Sequence, residues 1–172
     1  MQQINKEAKI AVIGGGSWAT ALVKILCDNQ ADVSWWMRNE EAVTHIRAFG
    51  RNPHYLSSAE INISKDRVST DIKATIAAAD IIIFAVPAAF LHTSLSSLSP
   101  ADFAGKFICS AIKGIVPEFN LIIGEYFNSY FNTNNQYRIM QNWIIIFFGL
   151  RNQLYFIKNQ KPARNRRLLK IR

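Results

Sequence analysis

Three consecutive glycines, placed between a short apolar segment and a segment of helical periodicity, constrain the fold of this chain most strongly. Residues 9–13 are short, apolar and partly β-branched, and Gly14-Gly15-Gly16 interrupts them abruptly. This pattern is typical of a buried parallel strand that ends in a tight turn. Residues 17–29 then place apolar side chains at helical spacing. The sequence therefore predicts a strand, a glycine turn and a helix in that order.

Alternation of strands and helices continues over the first two thirds of the chain. Further strands are predicted over residues 32–37, at Val68, and over 80–86 and 106–111, and further helices over 39–49, 71–79 and 88–98. The run over 80–86 is apolar on both faces and is expected in the interior of the sheet, and Asp71 is expected to cap the helix that it begins. This alternation predicts an α/β fold, a doubly wound parallel sheet with helices on both faces.

The glycine turn has the spacing of a dinucleotide-binding motif. In Gly14-x-Gly16-x-x-Ala19, the first glycine allows the tight turn, the second lets the backbone approach a pyrophosphate, and the third position must be small. Amides at the start of the following helix, together with the helix dipole, attract phosphate groups. A dinucleotide site is therefore predicted, and the alternative is a structural turn without a ligand.

The residue at the end of the second strand bears on which dinucleotide would bind. An NAD-specific site usually has Asp or Glu there to accept hydrogen bonds from the ribose 2′-hydroxyl, whereas this chain has Met37-Arg38-Asn39. The planar guanidinium of Arg38 can pair with a 2′-phosphate. This favours NADP, or use of both cofactors, over strict NAD. The alternative is that Arg38 is a solvated surface residue.

Several blocks, in order, resemble the NAD(P)-dependent glycerol-3-phosphate dehydrogenases of bacteria. The run Gly-Gly-Gly-Ser-Trp-Ala-Thr-Ala-Leu over residues 14–22 resembles the amino-terminal signature of that family. The segments 36–39, 52–56, 85–87 and 110–115 resemble its later blocks, at its spacing. The resemblance covers residues 8–127 and implies a Rossmann-type NAD(P)-binding domain over that range.

The resemblance also implies an activity and a set of site residues. The family interconverts sn-glycerol 3-phosphate and dihydroxyacetone phosphate with NAD(P)(H) in glycerophospholipid synthesis. The resemblance to its intact members also makes a homodimer one expected form of the protein. By motif, the cofactor-binding residues of this chain would be Gly14, Gly16, Ser17, Trp18, Arg38, Pro87 and Lys113. Lys113 would also meet the substrate, because an ammonium suits a substrate phosphate or a developing alkoxide. Without the resemblance, Lys113 is a solvated lysine at a strand end.

Residues 128–172 differ in composition from the preceding chain. All 12 acidic residues lie before residue 128, whereas nine of the 20 lysines and arginines lie after it. The Gly-Pro-Ser block and the all-helical substrate domain of the family, with its general acid/base lysine, do not occur in the sequence, so no catalytic residue is assigned. We expect this tail to be disordered or poorly packed.

Two explanations of the tail are open. Abundant Ile, Asn, Phe, Lys and Arg without acidic residues is the composition that an adenine- and thymine-rich gene yields in a shifted frame. We hypothesise a frameshift near codon 133 that replaced the substrate domain, and we expect no nucleic-acid partner. The alternative is a basic segment that binds nucleic acid or a lipid surface, which salt-dependent binding would reveal.

Other features limit the location and chemistry of the chain. Cys27 and Cys109 lie in no metal or redox motif and are expected to be buried free thiols, and the three histidines show no metal-ligand spacing. The apolar run over 143–150 is far shorter than the roughly 20 residues that span a bilayer. The polar amino terminus does not resemble a secretory signal, so a cytoplasmic location is expected.

Three functional hypotheses follow. The first is a member of the dehydrogenase family that binds NAD(P) but has negligible turnover, because only one wall of the interdomain cleft is present. The second is a dinucleotide-binding module without chemistry. The third is another dehydrogenase, of the 6-phosphogluconate or ketopantoate reductase kind, although those proteins lack the Ser-Trp pair and the Lys-Gly block in this arrangement.

Overall fold

The computed structural model describes residues 8–133, together with the backbone of two short strands further along the chain. Those strands, Tyr155–Ile157 and Leu168–Lys170, pair antiparallel with each other. We predicted that the tail is disordered or poorly packed. The rest of residues 134–172, to which this prediction applies, lies outside the described residues.

Five parallel strands form the central sheet. They are β1 (Ile10–Ile13), β2 (Val33–Trp36), β3 (Val68–Ser69), β4 (Ile81–Phe84) and β5 (Phe107–Ser110). Their order is β3-β2-β1-β4-β5, which places β4 in the interior as predicted. This is the strand order of a Rossmann-type fold up to its fifth strand, and the order reverses between β1 and β4. The predicted doubly wound parallel sheet is confirmed.

Within residues 8–133, five α-helices connect and follow the strands. They are α1 (Ser17–Asp28), α2 (Glu40–Phe49), α3 (Ile72–Ala77), α4 (Leu91–Leu95) and α5 (Ile123–Phe131). The predicted cap of α3 is confirmed, because the Asp71 side chain accepts a hydrogen bond from the amide of Ala74. Asn39 caps α2 in the same way through the amide of Ala42. These side chains satisfy amides that the first turn of a helix leaves without partners.

Alternate residues of each strand face opposite sides of the sheet, and both sides are buried. In β1, Ile10 and Val12 pack with apolar residues of α1 and α2, whereas Ala11 and Ile13 pack with those of α3, α4 and α5. A strand buried on both faces favours apolar side chains throughout, which explains the apolar runs of β1 and β4.

The segment predicted as one helix over 88–98 is shorter and divided. A 3₁₀ turn over Ala88–Phe90 precedes the single turn of α4. The hydroxyl of Thr93 donates to the Phe90 carbonyl and that of Ser96 to the Thr93 carbonyl. Such local side-chain bonds compete with continuation of a helix, which accounts for the early end.

The described fold continues past the predicted domain boundary at residue 127. Two strands that were not predicted, β6 (Ile115–Val116) and β7 (Leu121–Ile122), form an antiparallel hairpin before α5. Helix α5 ends at Phe131, which is 6% exposed and whose ring centroid lies 4.7 Å from that of Phe103. The core therefore includes side chains beyond residue 127.

Candidate functional site

The carboxyl ends of the parallel strands bring the predicted site residues to one edge of the sheet. The ladder continues one residue past the strands, since the amide of Gly14 donates to the Trp36 carbonyl over 2.9 Å and that of Ala85 to the Ile13 carbonyl over 2.8 Å. The crevice at a point where strand order reverses is the usual ligand site of such sheets. The residues placed beyond these strand ends are Gly14, Gly16, Ser17, Trp18, Arg38, Pro87 and Lys113.

Gly14 is required by the fold itself. Its φ is 143°, and a Cβ there would lie 2.5 Å from the carbonyl oxygen of Ala85 on the neighbouring strand end. A side chain would therefore separate β1 from β4. Ala19 lies against the same point, because its Cβ would be 3.3 Å from a Cβ at Gly14, which explains the small third position of the motif.

Gly16 differs, because nothing in the described chain requires it to be glycine. Its φ is −80°, which any residue adopts, and no atom lies within 4 Å of a Cβ built there. The neighbouring side chains of Ser17 and Trp18 are exposed. A Cβ at Gly16 would project into the open space at the start of α1, where a pyrophosphate approaches the backbone in dinucleotide-binding folds. The residues present therefore fit such a cofactor.

Side chains from three parts of the chain hold the carbonyls of the glycine turn. Trp35 Nε1 donates to Gly14 over 2.6 Å, and Asn52 Nδ2 donates to Gly15 over 3.3 Å. Thr20 Oγ1 donates to the Gly16 carbonyl over 2.9 Å. None of these roles was predicted from the sequence. Asn52 was singled out only as part of a family block, and its contact with the turn is not visible in local sequence.

Arg38 lies at the end of β2, as predicted, and is exposed. Its guanidinium carbon is 5.3 Å from the ring centroid of Phe90, which is 47% exposed in the turn after β4. This cation–π contact orients the guanidinium without an acidic partner. Among the described residues no carboxylate pairs with Arg38, so its donors remain available to an anion. Phe90 was not predicted as part of the site.

Pro87 and Lys113 lie at the other half of the edge, after β4 and β5, and both are exposed. Within residues 8–133 the Lys113 ammonium has no ion-pair or hydrogen-bond partner. Gly114 has a φ of 88°, with no atom within 4 Å of a Cβ built there. The loop after β5 is therefore open to solvent around an unpaired positive charge.

The two thiols are free, as predicted, and offer no nucleophile at neutral pH. Burial raises the pKa of Cys109, on β5, to about 12. Burial and the nearby Asp28 carboxylate raise the pKa of Cys27, which is half-buried, to about 11. Both side chains are protonated near pH 7 and react poorly.

The described residues contain no group of three or more His, Cys, Asp or Glu side chains placed to hold a metal ion. They also contain no helix with the length and apolar character needed to cross a membrane.

Known proteins of similar sequence identify the family of this chain. The family model of the NAD-dependent glycerol-3-phosphate dehydrogenase N-terminus matches residues 9–141. The glycerol-3-phosphate dehydrogenase [NAD(P)+] of Nitratidesulfovibrio vulgaris (strain Hildenborough) is 36% identical over 117 residues, which is 68% of this chain and 35% of that protein. This chain thus spans about one third of the length of the curated relatives that it matches.

Solved structures agree with this result. The glycerol-3-phosphate dehydrogenase of Coxiella burnetii superposes with a TM-score of 0.65 at 25% identity, over 73% of this chain and 38% of that one. An imine reductase from Pseudomonas sp. superposes with a TM-score of 0.53 at 23% identity, over 73% of this chain and 38% of the other. The second likeness shows the fold alone.

Proposed function

The chain belongs to the family of the NAD-dependent glycerol-3-phosphate dehydrogenase N-terminus, and we propose that residues 8–133 bind NAD(P) at the carboxyl edge of the sheet. The observation that carries this proposal is Gly16, which neither backbone strain nor packing requires to be glycine. Close approach of a ligand explains its identity. The bound cofactor would supply or accept a hydride.

Each predicted residue has a role that its placement supports. The turn amides and the side chains of Ser17 and Trp18 hold the pyrophosphate at the start of α1. Arg38 pairs with a 2′-phosphate, which makes NADP, or both cofactors, the preferred ligand. Pro87 lies beside the cofactor after β4, and Lys113 meets the cofactor and the substrate phosphate.

The activity of the intact relatives is a second step of the proposal. A protein with the remaining two thirds would interconvert sn-glycerol 3-phosphate and dihydroxyacetone phosphate, in the cytoplasm and as part of glycerophospholipid synthesis. Hydride transfer requires that donor and acceptor are held at near-attack distance. Residues 8–133 supply one side of such a cleft, so we propose that this chain binds the cofactor with negligible turnover. This is also what a dinucleotide-binding module without chemistry would do.

Titration of the purified 172-residue chain with NADPH and NADH tests the proposal. Tryptophan fluorescence reports binding, and Trp18→Phe identifies the signal of the exposed tryptophan at the turn. We expect saturable binding, with NADPH bound at least as tightly as NADH, and no NADPH oxidation with dihydroxyacetone phosphate. No binding by a folded chain would refute the dinucleotide site. Measurable oxidation would refute the proposed lack of turnover.

The origin of the tail remains a separate proposal. The family match ends at residue 141, and we propose a change of reading frame near codon 133. Sequencing the locus tests this. The Gly-Pro-Ser block and the substrate domain should reappear in another frame downstream, and their absence from every frame would refute the hypothesis.

A further inference from the structure

The glycine turn is held from its inner side by a continuous set of side-chain hydrogen bonds. Its three consecutive carbonyls accept from β2, from the loop after α2 and from α1, through Trp35, Asn52 and Thr20 respectively. The last two donors are linked, because Asn52 Nδ2 also donates to Thr20 Oγ1 over 2.9 Å. The Thr20 hydroxyl thus accepts from Asn52 while it donates to Gly16, and it adds a second bond to a carbonyl that also accepts from the Thr20 amide over 2.9 Å.

Fixing a carbonyl also fixes the amide on the other side of the same peptide bond. The described chain has no cis peptide bond, and in a trans peptide the C=O and N–H groups point in opposite directions. When the Gly15 and Gly16 carbonyls point inward to Asn52 and Thr20, the amides of Gly16 and Ser17 point outward. Within residues 8–133, neither of these amides donates to a protein acceptor.

Asn52 has no capacity left for a ligand of its own. It is 1% exposed, and its amide oxygen accepts from the amides of His54 over 3.0 Å and Tyr55 over 3.3 Å. With the two bonds from Nδ2, the four hydrogen bonds that an asparagine side chain can make are formed. Any effect of Asn52 on a ligand is therefore indirect, through the turn and Thr20 on one side or through the loop amides of His54 and Tyr55 on the other.

We propose that Asn52 and Thr20 are positioning residues, which orient the amides of Gly16 and Ser17 toward the pyrophosphate of the cofactor. This inference rests on the proposed cofactor site. It assigns a function to the segment 52–56, which the sequence analysis identified only as a family block. The loop after α2 reaches back to the glycine turn and sets the direction of its donors.

A matched pair of variants of the full chain tests the proposal. Thr20→Val keeps the shape of the side chain but removes the hydroxyl, whereas Thr20→Ser keeps the hydroxyl. We expect Thr20→Val to weaken NADPH binding on the order of 10-fold, and Thr20→Ser by about twofold at most. The amide resonances of Gly16 and Ser17 in the free chain should shift in the valine variant and not in the serine variant. Asn52→Ala should reproduce the valine result.

Two ligands separate positioning from general damage. Adenosine 2′-phosphate lacks the pyrophosphate, so its affinity for the chain, measured by calorimetric titration, should be equal in all folded variants. Equal NADPH affinity in Thr20→Val and Thr20→Ser, or equal weakening of binding for both ligands, would overturn this inference but not the proposed cofactor site. If Thr20→Val does not fold, the same comparison with Asn52→Ala decides. Absence of NADPH and NADH binding by the unsubstituted chain would overturn the proposed function and this inference with it.

Discussion

The glycine turn and the loop after β5 lie at the same edge of the sheet but differ in how their shape is determined. In the turn, Gly14 is packed against Ala85, and side chains hold three successive carbonyls. In the loop, Lys113 and Gly114 are exposed and Ile115 is 42% exposed. Packing and hydrogen bonds therefore fix the shape of the glycine turn before any ligand binds. In the loop after β5, no contact of the described residues fixes the position of the Lys113 charge.

The largest expected effect is on folding, at Gly14. Gly14→Ala would place a Cβ 2.5 Å from a backbone oxygen, and at a φ of 143°, so it should lower the free energy of unfolding by about 3 kcal/mol or more. Gly105→Ala is the matched control, because Gly105 has a φ of 74° but open space around it. That variant should lose only about 1 kcal/mol. Urea denaturation of both variants measures the difference, and equal losses would contradict the close packing of the turn.

The next effect is on binding, at Gly16. Gly16→Ala should leave the free energy of unfolding within about 0.5 kcal/mol, because its backbone is unstrained and its surroundings are open. It should weaken NADPH binding on the order of 100-fold, equivalent to about 2.7 kcal/mol, because the methyl group occupies the space of the pyrophosphate.

Gly114→Ala is the control from the other half of the edge. Gly114 also has open space around it, but its φ of 88° would strain an alanine. The Gly114→Ala variant should therefore have a lower free energy of unfolding and an unchanged NADPH affinity. Calorimetric titration and thermal unfolding of the two variants give both quantities. Unchanged NADPH binding in Gly16→Ala would place the cofactor elsewhere.

This contrast also shows which features could be predicted from sequence. The strands β1, β2, β4 and β5 were predictable because burial on both faces favours short, largely apolar runs. The turn was predictable because the spacing of its glycines indicates a close approach of backbone. The cap at Asp71 was predictable because it depends on a residue only three positions away.

Other features depend on contacts between distant residues. The bonds from Asn52 reach Gly15 and Thr20 across more than 30 positions, and no local pattern encodes them. The contact of Arg38 with Phe90 likewise joins the ends of two separate strands. The strands β6 and β7 have two residues each, which is too short for an alternating pattern to be recognised.

A smaller and more selective effect is expected at Arg38. Arg38→Gln removes the charge that would pair with a 2′-phosphate, so NADPH affinity should fall about 10-fold while NADH affinity changes by less than about twofold. Arg38→Lys keeps the charge without the planar guanidinium, so its NADPH affinity should lie between those of the unsubstituted chain and Arg38→Gln. Titrations at one fixed salt concentration compare the three proteins. Unchanged affinity for both cofactors would mean that Arg38 is a solvated surface residue stacked on Phe90, and equal weakening of both would mean that it contacts a group other than the 2′-phosphate.

The smallest effect is expected at Lys113, although the family resemblance assigns this exposed charge to both the cofactor and the substrate. Lys113→Met removes a side chain without partners in the described residues, so the free energy of unfolding should change by less than about 0.5 kcal/mol. The Lys113 ammonium is exposed and has no partner in the described residues that fixes its position, so solvent screens its ion pair with the cofactor and NADPH affinity should fall by about threefold at most. Calorimetric titration of Lys113→Met and Arg38→Gln with NADPH compares their affinities. If Lys113→Met loses as much NADPH affinity as Arg38→Gln, the loop after β5 holds the dinucleotide as firmly as the glycine turn does, and the two halves of the edge are equivalent.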